Sequence, residues 1–222
     1  MTMVPCPDPA RVHQAVEIER LSRISGLLPE ELALRLDDVI ERGDTVGVET
    51  LPVEELVQRQ DTAAMLELAR RFVGEPWGFL VLHGKYGNAK TLVLQAVVNE
   101  FRERRGIVGT YVRMHDLLEY VRAGYASNVR DDARARYERL KSLPILAIDE
   151  LDAARMTDFA YEFRTAFLDD RYRLALTRRA HTLFAMNGDP ADLPGDLYDR
   201  LRDGRFVIFH NADVSMRPAM TW

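Results

Sequence analysis

The chain of 222 residues has one cysteine, Cys6, and only three of its 30 positively charged residues are lysines: Lys85, Lys90 and Lys141. A single cysteine excludes an internal disulfide and any multi-cysteine metal site, and this close to a terminus it reads as a free thiol. No apolar run approaches the roughly 20 residues needed to span a bilayer, and the first residues have neither a basic start nor an apolar signal core. The expectation is a cytoplasmic protein with no membrane partner. Internal repeats and low-complexity blocks are missing as well. Net positive charge is also lacking: at −5, no global field draws the chain to nucleic acid, and any such binding must come from a local patch. What is present, 47% hydrophobic and 29% charged residues, is the composition of an ordinary globular chain long enough to bury a core. Where lysine is so scarce, each one is informative.

The texture of the chain changes near residue 76. Before it, three segments have helical spacing: Ala10 to about Ser25, a second opening at Pro29 and ended by Gly43, and a third from near Pro52 to Phe72. Residues 1–75 therefore read as a helical N-terminal region, serving either as packing helices or as a partner-binding module. From Trp77 short apolar runs alternate with longer helical patterns, the mark of an α/β domain with a mainly parallel sheet over residues 76–222. Five strands are expected: Phe79 to Leu82, Ile107 to Val112, Ile145 to Ile148, Thr182 to Met186, and Phe206 to Phe209. Helices are expected after the first strand, at Asp116 to Ala123, about Asp131 to Lys141, 157 or 158 to about Leu174, and Pro194 to Arg202.

The first of those helices follows Gly84-Lys85-Tyr86-Gly87-Asn88-Ala89-Lys90-Thr91. The pattern G-x-x-x-x-G-K-[ST] between a strand and a helix is a phosphate-binding loop. Its glycines let backbone N–H groups close around phosphate oxygens, and the helix behind points its positive end at them. Lys90 would meet the β- and γ-phosphates of ATP and Thr91 would give its hydroxyl to Mg²⁺. Ala89 stands where the pattern has glycine. A methyl group is tolerated there if φ is negative, the conformation expected at the mouth of a helix, where alanine is a good helix former.

The second motif is Ile145-Leu146-Ala147-Ile148-Asp149-Glu150. A strand buried on both faces delivers two carboxylates at its ligand-facing end. Asp149 suits the Mg²⁺ shell and Glu150 the orientation of an attacking water. An acidic pair after a strand also serves as a plain solvated turn. Asn187, before Gly188-Asp189-Pro190, either starts a turn or delivers an amide to the γ-phosphate from a strand between the other two.

From about Trp77 to Arg217 the chain resembles the AAA+ ATPases of the DnaC/IstB type, the helicase loaders and transposition helper ATPases. The resemblance is carried by G-K-Y-G-N-A-K-T, L-A-I-D-E-L, Phe167-Leu168-Asp169-Asp170-Arg171-Tyr172-Arg173, the Asn187 turn, Asp199-Arg200-Leu201, and Val214-Ser215-Met216-Arg217. It implies a five-stranded sheet with the Asn187 strand between those of the loop and of Asp149, and no C-terminal helical lid. Asn187 is then a γ-phosphate sensor, Arg200 an arginine finger acting in trans, with Arg202 and Arg205 as competitors, and Arg217 a second sensor. A finger in trans implies a homo-oligomer. The implied partners are single-stranded DNA and a replicative helicase or a transposase. For DNA contact the candidates are Arg122, Arg130, Arg134, Arg136, Arg139 and Lys141 among Tyr120, Tyr125 and Tyr137, a mixture suited to phosphates and stacked bases. Asp132 with Arg136, and Arg134 with Glu138, are also spaced to pair along a solvated helix face.

Overall fold

The computed structural model describes residues 31–43, 60–126, 130–153, 157–213 and 215. The helix expected at Ala10 to Ser25, the first part of the one expected from Pro52, and Arg217 lie outside them. In the described chain a short 3₁₀ turn (Glu31–Ala33) leads into α1 (Leu36–Gly43); α2 (Gln60–Gly74) precedes the first strand, β1 (Phe79–Gly84). There follow α3 (Lys90–Arg105), β2 (Gly109–Arg113), α4 (Met114–Ala126), α5 (Arg130–Ser142), β3 (Ile145–Asp149), α6 (Asp158–Leu176), β4 (His181–Met186), α7 (Gly195–Leu201) and β5 (Val207–Asn211). All five expected strands exist, with ends moved by one or two residues. The shift matters at β5, which runs on to Asn211.

The sheet order is β2-β3-β4-β1-β5, and every pairing is parallel. The strand that ends before Asn187 thus lies between those of the phosphate loop and of Asp149. Because side chains alternate across each strand, the sheet feeds two cores. Phe79, Val81, Val112, Leu146, Ile148 and Phe184 face one cluster with residues of α4 to α7. Leu80, Leu82, Ala147, Leu183 and Ala185 face the other, with Leu36 and Val39 of α1, Met65 and Phe72 of α2, and Val93 and Phe101 of α3. Helices α1 and α2 therefore share a core with the sheet. Buried Asn99 and Glu100 of α3 seal the junction: Asn99 Nδ2 donates to the Glu31 and Leu34 carbonyls, and Glu100 Oε1 accepts from Leu36 N at 3.2 Å. No helix among the described residues is long and apolar enough to cross a membrane.

Helix α3 ends as its sequence indicates. Arg102, Arg104 and Arg105 occupy the last turn, and Gly106 at φ 62° closes it while its N–H and that of Ile107 bond the Arg102 and Phe101 carbonyls. Helix α6 starts at Thr157, whose Oγ1 accepts from Ala160 N at 3.2 Å.

At the edge of the sheet where the strands begin, α6 carries Arg171, fully buried. Its guanidinium donates to Thr182 Oγ1 at 2.9 Å and to the carbonyls of Lys141, Leu143 and His181 at 2.8, 2.5 and 2.6 Å. One planar fork thus joins the end of α5, the approach to β3 and the start of β4. Burial pushes its pKa down from the usual arginine value.

Candidate nucleotide site

β1, β3, β4 and β5 all end at one edge, where a parallel sheet offers its crevice. The loop Gly84 to Thr91 leaves β1 there in conformations that its glycines permit. Gly84 has φ 131° and Gly87 has φ 82°; a Cβ on Gly84 would lie 2.0 Å from the Asn211 carbonyl oxygen, and one on Gly87 would lie 2.1 Å from Ser215 Oγ. Only glycine fits either place.

Ala89 departs from expectation. Its φ is 65° and its ψ 6°, left-handed, at the cap of α3. The negative φ expected from the closeness of a helix is wrong because the cap residue lies outside the helical dihedrals, and the loop enters α3 from the side that requires the mirror conformation. Alanine there carries a strain of about 1 kcal/mol relative to right-handed backbone.

Lys90 opens α3 with its side chain turned back under the loop. Its Nζ donates to the carbonyls of Gly84 at 2.8 Å and Lys85 at 2.7 Å, and to Asn88 Oδ1 at 2.9 Å. Burial lowers its pKa to about 8, against the opposing pull of Asp149 and Asp152. Thr91 Oγ1 donates to Asp149 Oδ2 at 2.7 Å, which brings the two motifs into contact. The same carboxylate oxygen accepts from Tyr111 OH at 2.8 Å, and Asp149 Oδ1 accepts from Glu150 N at 2.8 Å. Burial and the adjacent Asp149 push the Tyr111 phenol well above its ordinary pKa, so it stays a donor. Glu150 is exposed and also left-handed, at φ 54°. That turn takes its side chain off the strand while Leu151 N returns to the sheet by donating to the Ala185 carbonyl at 3.0 Å.

Asn187 follows β4 with its backbone N–H held by Asp152 Oδ2 at 3.1 Å, and Gly188 N donates to the same oxygen at 2.7 Å. Asp152 therefore ties the exit of β3 to that of β4. Neither Asp152 nor Tyr111 stood out in the sequence. Asp152 was visible as a third acid after Asp149-Glu150, but its use depends on β3 and β4 being neighbours, and that of Tyr111 on β2 lying beside β3.

The arginines are placed elsewhere. Arg200, in the last turn of α7, donates from Nε and Nη2 to Asp169 Oδ1 at 3.1 and 2.9 Å, and from Nη1 to the Asp196 carbonyl. Arg202 is paired with Asp199, and Arg205 with Asp203 and the Tyr172 hydroxyl. Several basic and aromatic residues of α4 and α5 are partnered within the chain. Arg122 pairs with Glu119 and stacks on Phe159 at 4.9 Å. Arg136 stacks on Tyr120 at 4.9 Å, Arg139 donates to the Tyr120 hydroxyl, and Lys141 pairs with Glu138. The side chains of Tyr125 and Arg130 lie outside the described set. Arg136 reaches across to α4, donating also to the Tyr120 carbonyl at 3.0 Å; the side chain of Asp132, its expected partner, lies outside the described set.

Solved structures with this arrangement include the DnaC helicase loader, at TM-score 0.61 and 18% identity over 82% of this chain and 99% of that one. DnaI matches at TM-score 0.60 and 19% identity over 83% of this chain and 94% of that one. The replication initiator DnaA bound to AMPPCP and single-stranded DNA matches at TM-score 0.61 and 17% identity over 83% of this chain. The fold is that of the AAA+ ATPases of DnaC type. The chain spans about half the length of the DnaA structure, 51% of it, and nearly all of the DnaC and DnaI structures. No family model matches the sequence, and no curated protein matches it either.

Beside the loop the sheet carries a histidine pair. His83 of β1 and His210 of β5 are partners in register, their rings stacked with centroids 4.6 Å apart. Burial, then His210, lowers the His83 pKa below 6.5, with Asp189 and a backbone bond to Gly188 opposing. Below pH 6.5 the unfolded chain then binds the proton more readily than the folded one, so this stability is complete above that pH and is lost on acidification. His181, also lowered by burial, acts in the same sense. Calorimetric unfolding midpoints should fall from pH 7.5 to pH 5, and less steeply in His210→Gln. Equal slopes for the two proteins would exclude the pair as a contributor.

Proposed function

We propose that this chain binds and hydrolyses ATP with Mg²⁺ and, assembled as a homo-oligomer on DNA, serves as a DnaC-like helicase loader or replication accessory ATPase. The observation that carries the reading is the 2.7 Å bond from Thr91 to Asp149, which joins the end of the phosphate loop to the acidic strand. The residues suit Mg-ATP: a loop whose glycines leave no room for a Cβ, a helix of 16 residues behind it, and a hydroxyl beside a carboxylate as the donor set for Mg²⁺. When bound, the group supplies a terminal phosphoryl electrophile with its charge neutralised by the metal.

The chain's own residues do the rest. The loop Gly84 to Thr91 binds the phosphates, with Lys90 as their cation, and Thr91 and Asp149 hold the metal and its water shell. Tyr111 orients Asp149. Glu150, free of the strand, positions the attacking water and takes its proton. Asn187, its backbone set by Asp152, gives its amide to the γ-phosphate and the water. Arg200, or Arg202 or Arg205, would leave its carboxylate to reach a neighbouring subunit's nucleotide, and Arg217 would answer the nucleotide in its own subunit. DnaC is titled a helicase loader and a DnaA structure holds AMPPCP and single-stranded DNA; these supports point to single-stranded DNA and a replicative helicase as partners, with a transposase as the alternative. In this reading residues 76–222 form the ATPase and residues 1–75 carry the partner-binding surface, while α1 and α2 within them also pack on the core of the sheet.

Light scattering and phosphate release, with and without ATP and single-stranded DNA, test it. Assembly that needs ATP, with turnover raised by DNA, is the expected result; a chain that stays monomeric and idle with both present overturns it. A second reading, a nucleotide-gated adaptor with little catalysis, is favoured by the strained Ala89. It expects ATP-dependent assembly without phosphate release.

A further inference from the structure

Ala89 keeps a positive φ although it has a Cβ, and such a conformation persists only where the surroundings over-determine it. The angle φ at residue 89 sets the 88–89 peptide plane against the rest of residue 89, so it is fixed when groups on both sides are held. On the helix side the Ala89 carbonyl accepts from Val93 N at 3.0 Å. On the loop side the Asn88 carbonyl accepts from Asn211 Nδ2 at 3.3 Å, and Asn88 Nδ2 donates in return to the Asn211 carbonyl at 2.9 Å. Both asparagines are fully buried. Asn88 Oδ1 accepts from Lys90 Nζ, so the same side chain that pins the peptide also holds the lysine.

Asn211 is itself anchored. It ends β5 opposite Gly84, its Oδ1 accepts from Asp213 N at 3.0 Å, and its Nδ2 also donates to Thr62 Oγ1 at 3.2 Å. Asp213 in turn accepts from Thr62 N at 2.6 Å, and Asp61 Oδ2 accepts from Ala212 N at 2.9 Å, which fastens the segment after β5 to the first turn of α2.

We propose that Asn88 and Asn211 are positioning residues of the phosphate loop, an amide lock that holds the 88–89 peptide so that alanine can occupy the left-handed place before Lys90. The proposal rests on the nucleotide-site reading above. The load on the lock comes from the Cβ of residue 89. With glycine at that position the bend is nearly free of cost, and the lock becomes dispensable.

A double-mutant cycle on the full chain tests this. Wild type, Ala89→Gly, Asn211→Ala and the double variant are titrated with a fluorescent ATP analogue, and their thermal midpoints are measured without nucleotide. Asn211→Ala should weaken the analogue about tenfold, the loss of its one buried hydrogen bond to the loop and the order that bond imposes. Ala89→Gly should bind at least as well as wild type, and the double variant should bind within about threefold of Ala89→Gly. Thr62→Val, which removes a contact of Asn211 to α2 but leaves its bond to Asn88, should bind as wild type does. Wild-type affinity in Asn211→Ala, or a double variant as weak as Asn211→Ala, overturns the lock. If Asn211→Ala does not fold, Asn211→Ser enters the same cycle, with rescue by Ala89→Gly as the supporting result and its failure as the opposing one. Lys90→Ala separates the two readings. If it binds the analogue as wild type does, the nucleotide site falls, and the lock is judged on the midpoints, which Asn211→Ala must lower less in the Ala89→Gly background than in the wild-type one. If Lys90→Ala loses binding while Asn211→Ala does not, the lock alone falls.

Discussion

Glu150→Gln is expected to bind ATP within about twofold of wild type and to hydrolyse it roughly 10²- to 10⁴-fold more slowly, the range a positioned general base contributes. The separation follows from where the residue sits. Its side chain is exposed, whereas the groups assigned to the phosphates and the metal, Lys90, Thr91 and Asp149, make their contacts without it. The backbone N–H of residue 150, which donates to Asp149 Oδ1, is unaffected by the exchange, so the acidic strand end keeps its geometry. Glutamine preserves length and shape and removes only the ability to take a proton. Equilibrium titration with ATP, set beside steady-state phosphate release, reads the two effects separately. Turnover at the wild-type rate would remove Glu150 from the mechanism, and lost binding would move its role to the nucleotide itself.

Arg171→Met should cost about 3 to 5 kcal/mol of stability, about 1 kcal/mol for each of the four buried acceptors left without its donor. Methionine matches the volume of the stem but leaves Thr182 Oγ1 and the carbonyls of Lys141, Leu143 and His181 without their donor. Arg171→Lys should recover only part of the loss, because one ammonium cannot reach acceptors spread around a planar fork. Urea unfolding with the slope held common gives the difference. Because these contacts lie where β3 and β4 begin, and the proposed nucleotide site lies where they end, the ATP affinity of the folded variant should be unchanged. A variant as stable as wild type would mean that water or a rearranged carbonyl set replaces the guanidinium.

The periodicities that separated strands from helices placed all five strands, since a run of apolar residues bounded by turn signals is local information. Gly84, Gly87, Lys90 and Thr91 were legible for the same reason: the motif is contiguous, and its chemistry needs those residue types at that spacing. Asp149 and Glu150 were legible as a pair, but their contact with Thr91 had to wait for the strand order, which no local pattern contains. Tyr111, Asp152, Asn211 and Asp213 were invisible as site residues because each acts on a group far along the chain, Asp213 on the first turn of α2 and Asn211 on the loop at Asn88. Asn211, unlike Asn187, is followed by no turn motif that would single it out.

The residue that shows the division best is Ala89. By itself the sequence determined where the Gly84 to Thr91 loop lies between strand and helix, its lysine and the missing glycine. The sign of φ at residue 89 was decided by tertiary structure, because it depends on the direction in which β1 delivers the chain to α3 and on the buried amide of Asn211. Local propensity favours alanine in the right-handed region; hydrogen bonds from β5, more than a hundred residues downstream, hold it in the left-handed one.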